Sequence, residues 1–548
     1  MTLSRLIYGY AWRSLTQSQL RRKGRIPFKN NHGDILICVI LTSVPLLLLL
    51  VVAVISLKIT RPFRLPYTST SLPPGPPGGW ILGNVKDINA PYLWRKFSSW
   101  SKTYGNIIHL NALGRPIIVL NDFNHARVLM EKQSASYSDR PRMIYINKIL
   151  KIKSMTFMGY GDLWRFHRRI IAQQLNQRSV IAFQSGQTHC VRELIHDILM
   201  APDEFWKKTH RFAASTILLA TYGYQVAEKD DPLVKLNEVV ERLLFQPGAP
   251  GTTVVDIFPP FAYLPSFIPG ASLKRRAERE RDSLRMLSDW PYEEALKKRE
   301  DGLIENSFVS LSLAHYEQKD DVALYSEAIK EICASMYRAG VATTLSVLRV
   351  FILSMILHPH VARKAQEELD KVIGKDRLPE FADRKDIKYI DCILKECLRW
   401  RPPLPLGIAH TSTRNGDVEG MFIPEKSLIL PNIWHMMHDE RFYEEPDNFN
   451  PDRFESEGAL RPRVDPREAV FGFGRRICPG RYFAEGSLWM AMSNILAAFD
   501  ILPEIGKDGV EIFPLDSFSS GLTSEPLQFK CRFIPRSEKI KQCVLFST

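Results

Sequence analysis

The stretch Phe471–Gly480, with the sequence FGFGRRICPG, decides how the rest of the chain is interpreted. Its cysteine, Cys478, comes just before Arg481–Phe499, an amphipathic run that predicts a helix. The free N–H groups and the positive dipole end at the start of a helix favour an anion, so we expect the Cys478 thiol to ionise readily. A thiolate is the form of cysteine that binds metal ions. The three glycines let the backbone wrap closely around the sulfur, and the stretch therefore predicts a metal-ligating cysteine.

The spacing within this stretch places Phe471, Gly474, Arg476, Cys478 and Gly480 on the pattern F-x-x-G-x-R-x-C-x-G. This pattern resembles the haem-ligand signature of the cytochrome P-450 family. A buried, inert cysteine in a glycine-rich turn is the alternative, and agreement at five fixed positions argues against it. The resemblance implies that Cys478 ligates haem iron and that Arg476 meets a haem carboxylate. Phe471 and Gly480 would belong to the same cofactor-binding loop.

Composition and charge are those of a globular protein with a basic N-terminus. The 548 residues are 45% hydrophobic and 24% charged, and the net charge is +13. Residues 1–64 contain ten Lys or Arg and one acid, so most of this charge lies at the N-terminus. The remainder carries no basic stripe suited to nucleic acid, and we expect no nucleic-acid partner. The eight cysteines form no C-x-x-C pair, which argues against a zinc site and a secreted disulfide scaffold.

An apolar segment near the N-terminus predicts a membrane anchor. Ile35–Leu57 is a run of 23 residues without charge, long enough to span a bilayer as an uncleaved helix. We predict a basic tail at 1–34, a transmembrane anchor at 35–57, a Pro/Gly-rich hinge at 58–79 and a haem-thiolate catalytic domain at 80–548. The hinge ends in LPPGPPGG, which is too rich in proline to continue the anchor helix.

The orientation of this anchor is predicted from the resemblance and from charge. Microsomal members of the family are held in the endoplasmic reticulum membrane by a single span, with the haem domain in the cytosol. The positive charges of residues 1–34 favour the opposite orientation, whereas Lys58, Arg61 and Arg64 favour this one. A mitochondrial presequence is the alternative, because the tail is rich in arginine and nearly free of acids.

The resemblance also implies the fold, which is mainly α with small β-sheets, of the α+β class, in one haem domain of the cytochrome P-450 type. Local patterns agree with this expectation. Ser326–Leu357 predicts a long helix, and Asp386–Trp400 predicts a shorter one. Apolar runs at Ile107–Leu110 and Pro116–Leu120 predict a β-hairpin, and Val418–Leu430 predicts another.

Two elements resemble the contacts that the family makes to the haem carboxylates. Trp164 and Arg168 lie four residues apart in a helical segment, so they share one face. They match the W-x-x-x-R element, whose Trp and Arg contact a haem propionate. A surface Trp/Arg pair is the alternative. His410 falls where a further propionate contact is common in the family.

The middle of the long helix, residues 339–344 (AGVATT), resembles the oxygen-activating segment A-G-x-D/E-T-T of the family. Ala339 and Gly340 are small enough to admit a flat cofactor, and Gly340 beside Thr343 predicts a local break in the helix. The Thr343 hydroxyl would donate a hydrogen bond during catalysis, and a helix-bonded core hydroxyl is the alternative. Ala342 stands where the family has a proton-relaying acid. Slow monooxygenation, uncoupled peroxide release and chemistry that needs no oxygen activation all stay open.

Three charged residues match the family's ion-pair triad. Glu396 and Arg399 lie three apart on one helix face, and Arg453 belongs to Phe449–Phe454 (FNPDRF). The resemblance implies that the triad is structural and braces the cysteine loop. A surface ion pair, which stabilises a fold only slightly, is the alternative.

The substrate pocket is expected to involve two segments and the long helix. Pro402–Ala409 (PPLPLGIA) corresponds to a strand that runs along the haem edge in the family. Ser517–Leu522 (SFSSGL) is a Gly/Ser turn that would reach into the pocket. The predicted pocket residues are Ala339, Leu404, Leu406, Ile408, Phe518 and Leu522.

The resemblance implies a haem b enzyme that inserts one oxygen atom from O2 into a lipophilic small molecule, in secondary or xenobiotic metabolism. Electrons would come from NADPH through a flavoprotein reductase, with cytochrome b5 as a further possible donor. Two alternatives stay open. One is a haem-thiolate isomerase or lyase that needs no external electrons, which Ala342 favours. The other is a membrane-tethered haem or lipid binder without catalytic turnover.

Overall fold

The computed structural model describes residues 72–80, 82–88, 90–245, 253–257, 259–268, 271–304, 306–319, 321–455 and 464–546. The predicted tail, the predicted anchor and the greater part of the predicted hinge lie outside the described residues. Residues Ser69–Thr548 form one compact unit. Helices dominate this unit, and the β-sheets are small, so the predicted fold class is confirmed.

The helices of the unit follow one another with few interruptions. In chain order the longer ones and two short ones are α1 (Leu93–Tyr104), α2 (Phe123–Arg127), α3 (Asp162–Gln174), α4 (Gln184–Met200), α5 (Phe205–Tyr222), α6 (Pro232–Phe245), α7 (Ser272–Arg279), α8 (Arg281–Glu300), α9 (Phe308–Tyr316), α10 (Val322–Leu357), α11 (Pro359–Ile373), α12 (Tyr389–Trp400), α13 (Ile433–Met437), α14 (Arg481–Ala498) and α15 (Glu538–Phe546). The long helix, the helix before Arg401 and the helix after Cys478 all lie where the sequence predicted them.

The longest helix, α10, lies in the helical core. It begins where the Asp321 carboxylate accepts a hydrogen bond from the N–H of Leu324 over 3.2 Å, and it ends just before Pro359. Helices α5, α8, α9, α12 and α14 all contact it. Among the described residues, α10 alone is long and apolar enough to cross a membrane, but 78% of its apolar window is buried inside the protein.

Three small sheets accompany the helices. The strands are β1 (Ile107–Ala112), β2 (Arg115–Leu120), β3 (His410–Thr411), β4 (Gly416–Val418), β5 (Met421–Ile423), β6 (Leu428–Pro431), β7 (Phe499–Ile505), β8 (Glu511–Ile512) and β9 (Cys531–Pro535). They form sheets in the orders β1-β2-β6-β3, β4-β5 and β8-β7-β9. Among the described strands, only the β2–β6 pair is parallel.

The first predicted hairpin is confirmed. Strands β1 and β2 pair antiparallel from Ile107–Leu120 at the open end to Ala112–Arg115 at the turn. Leu113 and Gly114 form the two-residue turn with φ angles of 51° and 86°. Positive φ at both positions gives the turn the twist of the strands it joins.

The second predicted hairpin, Val418–Leu430 with its break near Pro424-Glu425-Lys426, is wrong in its turn and in its strand pairing. The hairpin is the shorter pair β4–β5, and β6 leaves it to join the first sheet between β2 and β3. All four residues of β6 are buried. A strand that is apolar on both faces belongs in the interior of a sheet, where both faces are covered.

The described end of the predicted hinge is fastened to the first sheet. The carbonyl oxygen of Pro74 accepts a hydrogen bond of 3.0 Å from the N–H of His109. Gly75 lies so close to this strand that a Cβ atom would come within 1.8 Å of the His109 carbonyl oxygen. Residues 72–79 therefore pack against β1, and only glycine fits at position 75.

Candidate active site

Cys478 lies in a loop that closes on itself just before α14. Its N–H donates to the carbonyl oxygen of Phe471 over 2.7 Å, so the chain turns back across the single helical turn Gly474–Arg476. Gly480 precedes the first residue of α14, and a Cβ atom built on it would lie 4.0 Å from the Cys478 sulfur. The loop and the start of the helix thus lie close around the thiol.

Gly472 and Gly474, the other two glycines of the loop, do not both pack around the sulfur as predicted. Gly472 and Gly474 have φ angles of 81° and 53°, which glycine adopts without strain. A Cβ atom on Gly474 would come 2.1 Å from the carbonyl oxygen of Met130, in the helical turn Val128–Lys132. Gly474 therefore packs the loop onto this turn, and the prediction that all three glycines wrap the sulfur is wrong.

The ionisation of Cys478 also differs from the prediction. Burial raises the pKa of the thiol above its usual value, and it outweighs the backbone N–H of Gly480 and the cations Arg168 and Arg481, which lower the pKa. The helix terminus acts in the predicted direction but is the weaker effect, because a thiolate loses its hydration in a buried site. A coordinated metal cation removes this obstacle, since it deprotonates a thiol ligand outright.

Basic side chains gather beside the cysteine loop. Arg168 of α3 exerts its field on the Cys478 thiol, and among the described residues it has no hydrogen-bond or ion-pair partner. The pKa of Arg476 is lowered to about 10, chiefly by burial and to a smaller extent by the charge of Arg168, although Asp139 acts in the opposite direction. Burial also lowers the pKa of Arg140 and of His410, and Arg476 adds to the shift in both. Cations that destabilise one another in this way favour a bound anion.

Trp164 meets Arg476 directly. The guanidinium of Arg476 lies 4.4 Å from the centre of the Trp164 ring, a cation–π distance. Its nitrogens donate to the carbonyl oxygens of Ser138 over 2.8 Å and of Met158 over 2.9 Å. Arg476 thereby joins the cysteine loop to α3 and to the segment before α3.

His410 is held by the same segment. Its Nδ1 lies 2.7 Å from the carbonyl oxygen of Tyr137, and the side chain is buried. Arg140 donates to the carbonyl oxygens of Ile408 and Ala409, each over 2.8 Å. Residues 402–409 are irregular and the strand begins only at His410, so the predicted strand there is wrong. Carbonyls that bind a side chain do not take part in a sheet ladder.

The middle of α10 is more open than the rest of the helix. Ala339 is exposed and Ala342 and Thr343 are half-buried, although most of the helix around them is buried. The Thr343 hydroxyl donates to the carbonyl oxygen of Ala339 over 2.9 Å, one turn earlier. The helix runs through without the predicted break.

Gly340 faces a neighbouring helix. A Cβ atom built on Gly340 would lie 2.6 Å from Cδ1 of Ile217 on α5. The absent side chain therefore lets α5 and α10 approach each other. This contact is a further reason for glycine at this position, and the predicted role of Gly340 at the cofactor stays a prediction.

The three charged residues Glu396, Arg399 and Arg453 meet in the interior. The Glu396 and Arg399 side chains have no solvent exposure, and Arg453 Nε lies 3.3 Å from the Glu396 carboxylate. Arg399 also donates to the carbonyl oxygens of Met437 over 2.9 Å and Pro446 over 2.7 Å. The triad therefore joins α12 to the long segment that precedes the cysteine loop.

Comparison with known proteins agrees with this geometry. The sequence profile of the cytochrome P-450 family matches residues 73–531. Cytochrome P-450 monooxygenase 208 of Postia placenta is 37% identical over 469 residues, which cover 85% of this chain and 90% of the relative. Cytochrome P-450 monooxygenase claT of Ampulloclitocybe clavipes is 37% identical over 497 residues, covering 90% and 96%. The chain belongs to the cytochrome P-450 family.

Membership in the cytochrome P-450 family makes the protein a haem-dependent monooxygenase with a haem-thiolate cofactor. The described residues fit this group. Among them, no three His, Cys, Asp or Glu side chains lie together so as to hold a bare metal ion. A single thiolate can hold iron when a macrocycle supplies further ligands, as haem does. The basic residues beside Cys478 match the carboxylates of haem b in charge.

The predicted pocket residues of this cytochrome P-450 do not all lie together. Ile408 packs against the cluster that contains Trp164 and the middle of α10. Leu406 instead packs against the first sheet, and Phe518 packs edge-on against Trp400 in the core. Leu404 and Leu522 are half-buried. The geometry thus places Ile408 with the helix and directs Leu406 and Phe518 into other parts of the core.

Two basic residues of the site were not predicted from the sequence. Arg140 is buried and reaches Ile408 and Ala409 from 268 and 269 residues away in the chain. Arg481 donates to the Cys478 carbonyl oxygen over 3.2 Å. The position of Arg481 in the first turn of α14 was a usable signal, because that turn surrounds the cysteine. No local pattern marks Arg140.

Proposed function

We propose that this cytochrome P-450 hydroxylates or epoxidises a lipophilic small molecule, with Cys478 as the thiolate ligand of haem b. One observation carries this proposal: the charges of Arg168 and Arg481 both act on the Cys478 thiol, and Arg168 has no ion-pair partner among the described residues. Haem that is held by a thiolate requires a cysteine to ligate its iron and cations to pair with its carboxylates, and this site offers both. Bound haem supplies iron that activates O2, and a thiolate ligand favours O–O cleavage.

The chain's own groups have separate tasks in this proposal. The Gly480 N–H and the cations Arg168 and Arg481 stabilise the Cys478 anion. Four basic side chains orient the haem carboxylates, namely Arg140, Arg168, Arg476 and His410. Trp164 holds Arg476 in place through its ring. Phe471 and Gly480 fix the loop, and the triad of Glu396, Arg399 and Arg453 keeps its supporting segment rigid. These last three residues are structural.

Proton delivery in this proposal begins at Thr343. Its hydroxyl donates to the Ala339 carbonyl oxygen, and a rotation about χ1 frees it for substrate-side hydrogen bonding. Ala342 has no ionisable group, so protons reach Thr343 through water. The missing acid also favours a second candidate function, rearrangement of an oxidised substrate by a haem-thiolate isomerase or lyase.

We further propose the cellular setting. The apolar run Ile35–Leu57 anchors the protein in the endoplasmic reticulum membrane, with a tail at 1–34, a linker at 58–79 and a cytosolic haem domain at 80–548. A flavoprotein reductase delivers electrons from NADPH, with cytochrome b5 as a second donor. The substrate belongs to secondary or xenobiotic metabolism. These points rest on the sequence pattern and on general properties of the family.

The test uses the purified, haem-loaded protein. Reduction under carbon monoxide is expected to give the red-shifted Soret band of a thiolate ligand, and Cys478→Ser is expected to lose it. Addition of reductase, NADPH and lipophilic compounds is expected to give oxygenated product. Product formed without NADPH or reductase would instead favour the isomerase or lyase. Substrate-induced spectral change without product under either condition would indicate a binder, and absence of the thiolate band would overturn the proposal.

A further inference from the structure

Arg338 is a buried cation in the middle of α10 without an anionic partner. Only 7% of the residue is exposed. Its Nη1 donates to the Ser288 hydroxyl and its Nη2 to the Lys153 carbonyl oxygen, both over a long 3.3 Å. Within the described ranges, no carboxylate forms an ion pair with it. A buried charge is costly unless it is paired, so this guanidinium favours an anion from outside the chain.

Glu331, the carboxylate whose charge acts on Arg338, already pairs with other side chains. Glu331 lies on the same helix, and its carboxylate is 2.7 Å from Lys153 Nζ and 3.7 Å from His167 Nε2. Burial lowers the pKa of Arg338 to about 10, so the group is still a cation at neutral pH. Arg338 therefore does not lose its charge by releasing a proton.

A second polar group beside Arg338 also lacks a partner. The Tyr222 side chain is 1% exposed, and its hydroxyl makes no hydrogen bond to any of the described residues. The charge of Arg338 acts on this hydroxyl. An unsatisfied buried hydroxyl is destabilising, and a ligand oxygen accepting its proton would relieve it. Two buried donors, one charged and one neutral, thus lie within electrostatic range of each other, and neither has an anionic partner among the described residues.

The open part of α10 follows Arg338 directly in the chain. Ala342 follows Arg338 by four residues, so the two share one face of the helix. Ala339 is exposed and Ala342 is half-buried, so the helix surface that follows Arg338 is open. A glutamate at 342, one turn after Arg338, is long enough to pair with it within the helix, whereas the shorter aspartate would stay beside Thr343. Because alanine is present at 342, a negatively charged partner for Arg338 would have to come from a bound molecule.

We propose that Arg338 binds a carboxylate group of the substrate, so that the substrate is a lipophilic carboxylic acid. This proposal rests on the proposed oxygenase function and specifies its substrate class. A guanidinium pairs with a carboxylate through two parallel hydrogen bonds. One cation balances one negative charge, whereas a phosphate monoester carries nearly two. The substrate acid supplies the negative charge that Ala342 does not.

The test measures binding and does not depend on turnover. Straight-chain and aromatic carboxylic acids, each paired with the primary alcohol of the same skeleton, are titrated into the full-length haem protein by calorimetry and by Soret difference spectra. We expect at least one acid to bind about tenfold more tightly than its alcohol. Arg338→Gln is expected to abolish this preference, and Arg363→Gln, at an exposed position of α11, is expected to retain it. No acid preference in any pair, or a preference that survives Arg338→Gln, would overturn the proposal.

A second variant keeps the test decisive if Arg338→Gln fails to fold. Ala342→Glu places a carboxylate one turn from Arg338 and is expected to remove the acid preference while alcohol binding persists. Ala342→Gln, of equal size and without charge, is its control and is expected to keep the preference. Equal behaviour of these two variants would count against the proposal. The oxygenase proposal fails separately, through absence of the thiolate band or of product with reductase.

Discussion

Arg399 and Glu396 form a two-point ion pair that solvent does not reach. Nε and Nη2 of Arg399 donate to the two carboxylate oxygens of Glu396 over 2.7 and 2.8 Å. The N–H of Asn450 donates to the same carboxylate over 2.7 Å. Because the polar atoms of this pair are hydrogen-bonded inside the protein, removal of one partner leaves the other charged and buried.

Glu396→Gln is expected to lower the free energy of unfolding by about 3–5 kcal/mol, since Arg399 then remains buried without its anion. Thermal unfolding followed by circular dichroism measures the loss, and the fraction of haem retained after purification reports on the cysteine loop. The control is Glu455→Gln, which breaks an exposed pair with Lys364 and is expected to cost under about 1 kcal/mol. Equal losses in the two variants would contradict the structural role.

Haem affinity is expected to rise with pH. Burial raises the pKa of the Cys478 thiol, so near neutral pH the thiol is protonated and must release its proton when it binds iron. Affinity then increases by up to about tenfold per pH unit and levels off above the thiol pKa. Haem titration of apoprotein between about pH 6 and pH 8 measures the slope. Cys478→Ser serves as the control and is expected to lack it. An affinity of the intact protein that is flat in pH would show that the thiol is already ionised.

Arg168→Gln is expected to weaken haem retention by about tenfold or more, because a charge-assisted contact to a haem carboxylate is lost. Transfer of haem to an excess of an acceptor protein measures the rate of loss. Arg169→Gln, at the next and exposed position of the same helix, is the matched control and is expected to behave as the unaltered protein. Similar haem loss from both variants would argue against a specific contact of Arg168.

Ala342→Asp is expected to increase the fraction of NADPH oxidation that leads to product, since it restores a proton-relaying acid next to Thr343. Product, NADPH consumption and peroxide are measured together with reductase present. Ala342→Asn provides a control of equal size without the acid, and it is expected to leave the fraction unchanged. Unchanged coupling in the aspartate variant would show that water alone delivers the proton.

Much of the fold and of the site could be predicted from local sequence. The helix after Cys478, the helix from Val322 to Leu357 and the hairpin that ends in Leu113-Gly114 all depend on periodicity, on end signals and on turn residues. These features involve hydrogen bonds between residues close in the chain. The spacing of Phe471, Gly474, Arg476, Cys478 and Gly480 likewise sufficed to indicate the family.

The tertiary structure alone decided the features that depend on distant residues. Gly340 packs against Ile217, and Gly474 packs against Met130. The raised pKa of Cys478 follows from burial by many elements, which opposes the local effect of the helix end. The sequence by itself determined the family, the cysteine that could bind haem iron and the approximate positions of the helices around it. Which of those side chains meet, and which cation is left without an anion, depends on packing between segments far apart in the chain, because solvent exclusion and side-chain contacts arise only when those segments come together.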